Sequence, residues 1–292
     1  MLDIVKNEIA RSVPEAVSLL NENHGALVVA GGTDILIKIK AGKIKKAHLV
    51  YINKISELRG ISINESGVVK IGPLTTFREL ENNPLILEIL PILAVAAGSV
   101  GGPQIRAAGT IGGNICNGVT SADTASSLLT LNARLEISNI DTVQDKLIED
   151  FYLGPSKVAL PNGSLLTAIY IDKKDYIGYK GHYVKYSQRN AMDIATLGCA
   201  VQLKLNKEKT LIDDVRIAFG VAAPVPLRLP KAEDSLKGMT IDEALIKGPS
   251  AVRSEISPRD SWRASKDFRL HIAGEIFNKA LESAWKESLV KC

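Results

Sequence analysis

Two glycine runs constrain this chain more than any other feature. The first is VVAGGTDILI, Val28 to Ile37, in which Gly31 and Gly32 follow an apolar stretch directly. The second is AAGTIGGNICNG, Ala107 to Gly118. Glycine admits close approach of a ligand to peptide N–H groups that a Cβ would hold away, and a run of such amides suits phosphate oxygens. For a single G-G-T the plainer reading is a tight strand-to-helix turn. A pair of runs, each with a hydroxyl (Thr33, Thr110) and the second with the amide of Asn114, shifts the balance toward one extended dinucleotide held from both sides. Neither run is G-x-G-x-x-G and neither has the lysine of a P-loop, which argues against a Rossmann fold or a nucleotide hydrolase.

With 292 residues, 46% of them hydrophobic, the chain is long enough for two or three compact units. Lys and Arg exceed Asp and Glu by only 36 to 32 and are scattered, so the basic stripe of a nucleic-acid binder is absent. Cys116, Cys199 and Cys292 are far apart and form no C-x-x-C pair, so no zinc, redox or iron–sulfur site is expected from this chain itself. The start, MLDIVKNEIA, lacks the basic-then-apolar run of a signal peptide, which makes the cytoplasm the expected compartment. The most apolar stretch, LILEILPILAVAAG, is broken by Glu88 and Pro91 and falls short of the ~20 residues that cross a bilayer.

Local patterns predict a helix over RSVPEAVSLLNENHG, where Ser12 and Glu15 have capping-box spacing, then a strand at ALVVA and another at HLVYI. These make residues 1–57 a β-α-β-like unit. Between the strands, DILIKIK stays open: Ile35, Ile37 and Ile39 alternate as in a strand, yet Asp34 could cap a helix. ISI and VVKIG read as paired strands, Thr76 and Glu79 as a capping box, and Pro91 to about Ser99 as a helix. Glycine and proline exclude regular structure from VGGPQIRAAGTIGGN. ADTASSLLTLNA reads as a helix, RLEI and LLTAIYI as strands, and the polar segments between them as loops. Beyond a boundary at IDKKDYIGYKG, strands are expected at HYVKY, LGCAVQLKL and LIDDVRIAFGVA, and a core-facing helix through Ile272, Ile276, Phe277, Ala280 and Ala284.

Taken together, AGGTD, TIGGNI and SAD give the chain a resemblance to the FAD-binding subunits and domains of the molybdenum hydroxylases, the xanthine and carbon monoxide dehydrogenase group. GPQIRAAGTIGGNICNGVTSADTA, YSQRNAMDIATLGCAV, IAFGVAAPVP and SWRASKDFRLH extend it over nearly the whole chain, and it looks especially like the separate FAD subunits of bacterial three-subunit xanthine dehydrogenases. The resemblance implies an α+β fold. A two-lobed FAD-binding domain of the PCMH type would span residues 1–174, with lobes at about 1–56 and 57–174. A C-terminal domain of the CO dehydrogenase flavoprotein type, an antiparallel sheet plus helices, would span 175–292.

It further implies non-covalent FAD in the cleft between the first two lobes. Leu27, Val28, Val29, Ala30, Gly31, Gly32, Thr33 and Asp34 would wrap the pyrophosphate, and Gly109, Thr110, Ile111, Gly112, Gly113 and Asn114 would approach its other side. Asp123 matches an aspartate near the ribose and ribityl hydroxyls, although capping the following helix explains it equally well, as it does Ser121. Leu165, Val184 and Lys185 match flavin contacts, and Arg189 and Asp193 would shape the charge near the ring. On a plain strand Lys185 would simply face solvent. Val100 stands where the family often has an aromatic residue, and Cys116 is a small thiol sooner than a covalent flavin anchor. The four histidines read as ordinary polar residues.

The function implied is electron transfer: FAD would take electrons from a 2Fe-2S cluster on a small partner subunit and pass them to NAD, while a large subunit would carry molybdopterin and oxidise a purine such as xanthine. A related hydroxylase of carbon monoxide, nicotinate or an aromatic compound is the alternative. A self-sufficient flavin oxidoreductase would need an acid or base from Lys185, Arg189 or Asp193, and a flavin-free interaction subunit is disfavoured by the intact glycine runs. A dependent subunit should also expose an apolar surface to its partner.

Overall fold

The computed structural model describes residues 2–289, so Cys292 lies outside the described residues. The N-terminal lobe contains β1 (Ile4–Ile9), α1 (Val13–Glu22), β2 (Leu27–Val29), α2 (Ile35–Lys40) and β3 (Ala47–Tyr51). Its strands form a parallel sheet in the order β1-β3-β2. The pleat sends neighbours in sequence to opposite faces: Val50 packs with Ala16, Val17 and Leu20 of α1, and Leu49 packs with Ile39 of α2. α1 begins as expected, with Ser12 Oγ accepting the Glu15 amide. The ambiguous DILIKIK is helical. As a helix it buries Ile39 against the sheet and brings Lys38 to Asp34, one turn away, at 2.5 Å.

The middle lobe comprises β4 (Ile61–Ile63), β5 (Val69–Ile71), α3 (Phe77–Asn82), α4 (Pro84–Ile89), α5 (Pro91–Gly98), α6 (Pro103–Ala108), α7 (Ile111–Cys116), α8 (Asp123–Thr130), β6 (Arg134–Ser138), β7 (Val143–Leu147), β8 (Tyr152–Gly154), β9 (Lys157–Val158) and β10 (Leu165–Ile171). Five of these strands make an antiparallel sheet in the order β4-β5-β10-β6-β7. Its apolar residues Val69, Ile71, Leu135, Ile137 and Ile169 share one core with Leu93, Ala97, Ile115 and Leu128 of the helices. The capping box on α3 forms as predicted, with the Glu79 amide donating to Thr76 Oγ1 and the Thr76 amide to Glu79 Oε2.

Two expectations fail here. The stretch from Gly102 to Cys116 holds two short helices, because Pro103 sits in the first turn, where its missing N–H costs nothing, and Thr110 caps α7. The segment read as a loop before Leu147 is the edge strand β7. Paired only with β6 and largely exposed, it shows no apolar alternation, and only the backbone ladder defines it.

The C-terminal lobe has β11 (Lys180–Tyr186), β12 (Leu197–Leu205), β13 (Ile212–Gly220) and β14 (Leu227–Arg228) in a sequential antiparallel sheet, with α9 (Pro230–Leu236), α10 (Ile241–Glu255) and α11 (Lys266–Leu289). Cys199, Val201 and Phe219 pack with Ala273, Phe277 and Ala280 of α11, the stripe read from the sequence. The sheet's other face gives Tyr183, Ala200 and Ala218 to the core of the middle lobe. Small alanines let α5 and α8 lie close on this sheet, which fixes β11 beside the start of α8. No helix among the described residues is long and apolar enough to cross a membrane.

Candidate functional site

A cavity of about 470 Å³ opens between the N-terminal and middle lobes, and both glycine runs line it. Leu27, Val28, Ala30, Gly31, Gly32, Thr33 and Asp34 contribute from the first run, Thr110, Gly112, Gly113 and Asn114 from the second, joined by Val100 and Leu165. Three residues expected here are turned elsewhere. Val29 packs beneath the parallel sheet with Ile39, Ile111 lies in the middle core, and Gly109 leaves room for the Phe77 ring, which a Cβ would meet at 2.9 Å.

The glycines have different tasks. A Cβ on Gly31 would lie 1.9 Å from the Ala108 carbonyl oxygen, so this glycine lets the two runs touch. One on Gly112 would lie 2.4 Å from Pro73 Cβ. Gly32 has φ +73°, a left-handed conformation that other residues enter at a cost. At Gly113 a Cβ would meet only Thr110 Oγ1, at 3.0 Å, and otherwise the space is open.

The amides divide just as sharply. In the second run, Ile111 donates to Thr75 O, Gly112 to Pro73 O, Gly113 to Thr110 Oγ1 and Asn114 to Thr110 O. In the first run, the N–H groups of Gly31, Gly32, Thr33 and Asp34 have no protein acceptor among the described residues. Consecutive unpaired amides form a concavity for an anion, and in a folded chain such groups ordinarily find a partner. The clamp suggested by the sequence is therefore uneven: the first run offers four consecutive free amides, while the second offers only that of Thr110 and otherwise shape. A diphosphate fits that cradle.

Residues 5–173 match the family described as the FAD binding domain in molybdopterin dehydrogenase, and residues 182–284 match the CO dehydrogenase flavoprotein C-terminal domain. The chain belongs to the FAD-binding family of the molybdopterin dehydrogenases. It is 39% identical to a xanthine dehydrogenase FAD-binding subunit of Escherichia coli O157:H7, over 97% of each chain. It is 30% identical to the carbon monoxide dehydrogenase medium chain of Hydrogenophaga pseudoflava, over 94% of this chain and 95% of that one. The solved carbon monoxide dehydrogenase of the same organism, in a form lacking the Mo-pyranopterin moiety, superposes with a TM-score of 0.92 at 30% identity, covering 98% of this chain and 99% of that one.

Within this FAD-binding family fold, two of the remaining expected residues, Asp123 and Lys185, form a second cluster with Tyr183 that does not line the cavity. Lys185 on β11 donates from Nζ to Asp123 Oδ2 at 3.0 Å and to the Ser99 carbonyl at 2.9 Å, and the Tyr183 hydroxyl donates to Asp123 Oδ1 at 2.8 Å. Asp123 does not cap α8, since the N-cap is Ala122 and no side chain caps the helix. Burial pushes the Asp123 carboxyl above the usual range, and Lys185 and Tyr183 oppose that rise. Lys185 is thus neither solvated, as a plain strand would leave it, nor a free charge, because its partner carboxylate lies in contact. Val184 packs in the C-terminal core, and Arg189 and Asp193 pair with each other at 3.4 Å in an exposed loop.

The cavity also has lining residues that sequence reasoning missed, among them Lys38, Asn117, Ile105 and Leu160. A helical reading of DILIKIK would have exposed Lys38, since only that period places it one turn from Asp34. Burial pushes the Cys116 thiol up to about 12, which removes the thiolate that attack on a ring would need. His48 pairs with Glu8 and His182 with Glu287, as ordinary polar residues do.

Proposed function

We propose that this chain is the FAD-carrying electron-transfer subunit of a molybdenum hydroxylase complex, serving a xanthine or other purine dehydrogenase. Its partners would be a small subunit with 2Fe-2S clusters and a large molybdopterin-binding subunit, with NAD as the final acceptor. The observation that carries this reading is the set of four acceptor-free amides, Gly31 to Asp34, over the cavity. When bound, FAD supplies the conversion between one-electron and two-electron transfer.

The protein's own part is binding and orientation. Residues 31–34 would hold the diphosphate, the Gly113 side would leave room for it, and Val100 and Leu165 would exclude water from the apolar part of the cleft. The Asp123–Lys185 pair lies behind the cavity wall, where Lys185 holds the Ser99 carbonyl next to Val100, and would keep the local net charge near zero. Among the described residues, Asp34 and Lys38 are the only charged side chains on the cavity wall, so a self-sufficient oxidoreductase would find little acid–base chemistry there.

A dependent subunit needs a face for its partner. Two joined loops and their flanks supply an exposed apolar one: Met192 and Ile194 lie on the first, just after Tyr186 at the end of β11, and Trp262 lies on the second, just before Phe268 in the first turn of α11. Gln188 Nε2 donates across to the Arg263 carbonyl at 2.9 Å, and the Tyr186 and Phe268 rings meet edge to face at 5.7 Å.

The test is to purify the chain with its native partners and measure flavin content and purine-dependent NAD reduction. A complex without flavin would sink the reading. Gly113→Val should weaken FAD binding about tenfold, or ~1–3 kcal/mol, because its side chain would enter space that is open in the free chain and that the ligand would occupy, with melting close to that of the parent. Full FAD content in this variant at unchanged melting would remove the second glycine run from the site.

A further inference from the structure

Lys38 is the only basic residue on the cavity wall among the described residues. It leaves α2 of the N-terminal lobe and donates from Nζ to Asp34 Oδ2 at 2.5 Å and to Asn117 Oδ1 at 2.7 Å. Asn117 is the C-cap of α7, the helix built on the second glycine run. A single ammonium therefore ties the two lobes together across the cleft, in addition to the contact of Gly31 with Ala108 and the bonds of Asn21 to Asn139 and Gly163.

Two of the three N–H donors of Lys38 are accounted for, and the third has no partner among the described residues. The four free amides of residues 31–34 lie immediately before this helix and offer hydrogen bonds without formal charge. A diphosphate carries negative charge that amides alone do not neutralise, and in a cleft with mostly apolar walls an unmatched charge is costly. Asp34 keeps the ammonium at the head of the run, while the neutral Asn117 is the weaker of its two acceptors.

We infer that Lys38 is a specificity-determining contact for the dinucleotide, its ammonium exchanging the Asn117 amide oxygen for a diphosphate oxygen when FAD binds. The inference rests on the functional reading above. It gives the strut two states: lobe to lobe in the free chain, and lobe to ligand in the loaded one. FAD binding should then depend on salt, since a partly exposed ion pair is screened.

The experiment compares FAD dissociation constants, read by flavin fluorescence, for the full chain and for Lys38→Met, Lys38→Gln and Lys38→Arg at low and high ionic strength. Melting temperatures confirm that each variant is folded. The Met and Gln variants are expected to bind FAD about tenfold more weakly with a shallower dependence on salt, and the Arg variant to recover most of the affinity. Affinities within about twofold of the parent would overturn the inference. So would a loss of affinity with the salt dependence unchanged and no rescue by Arg, which would make Lys38 a strut alone. If the unaltered chain bound no FAD, the functional reading itself would fall, a result separate from either of these.

Discussion

Lys185→Met is expected to cost about 3–5 kcal/mol of stability at neutral pH, because it leaves the Asp123 carboxylate buried without its cation. The effect should depend on pH in a definite direction. Burial already raises the Asp123 carboxyl above its usual value, so the native state holds this proton more tightly than the unfolded chain does. Stability from this group is therefore greatest at low pH and declines as pH rises from the ordinary aspartate range through the raised value. Removing Lys185 takes away an attraction that opposes the rise, so the window extends upward and the variant's deficit grows with pH. Towards acid the deficit should shrink, since a protonated carboxyl is cheaper to bury. Denaturant unfolding at a series of pH values checks this, and Lys185→Met combined with Asp123→Asn should recover much of the loss at neutral pH. A deficit that stayed constant from acid to neutral pH would show that Asp123 is not the group responsible.

Gly31→Ala is expected to strike stability and cofactor binding together. The added Cβ would lie 1.9 Å from the Ala108 carbonyl oxygen and 2.7 Å from its carbon, both backbone atoms that have no rotamer to move away. Overpacking of this kind costs about 1–3 kcal/mol and sometimes more. The two runs must separate, which carries the free amides of residues 31–34 away from the second run's side of the cleft. Both a lower melting temperature and a loss of FAD content are expected. This differs from Gly113→Val, where the new side chain enters open space and only FAD content should fall. If Gly31→Ala melted like the parent and bound FAD fully, the contact between the runs would be refuted.

Much of the fold could be read along the chain because the signals were local. Ser12 and Thr76 start their helices by bonds to residues three positions on, and the C-terminal stripe follows from helical period alone. The resemblance carried by the glycine runs reached further, giving the family from short motifs separated by long stretches of chain. Misreadings occurred where local rules were satisfied by either outcome. Proline and glycine between Gly102 and Asn114 looked like loop residues, but Pro103 and Thr110 also start helices well. β7 had no apolar alternation because it lies on the sheet edge with both faces largely wet.

By itself, the sequence determined the family, the helices with local caps or a clear helical period, and the presence of two glycine runs beside buried strands, since each depends on residues near one another in the chain. Only the tertiary structure decided which amides stay free, that Gly31 serves contact between the runs, that Lys185 is matched by Asp123, and that Lys38 reaches the cleft. Hydrogen-bond acceptors, counter-charges and the space for a Cβ are supplied by residues remote in sequence, such as Thr75, Ala108, Asn117 and Asp123. Whether an amide or a charge is available to a ligand depends on what folding has already placed against it.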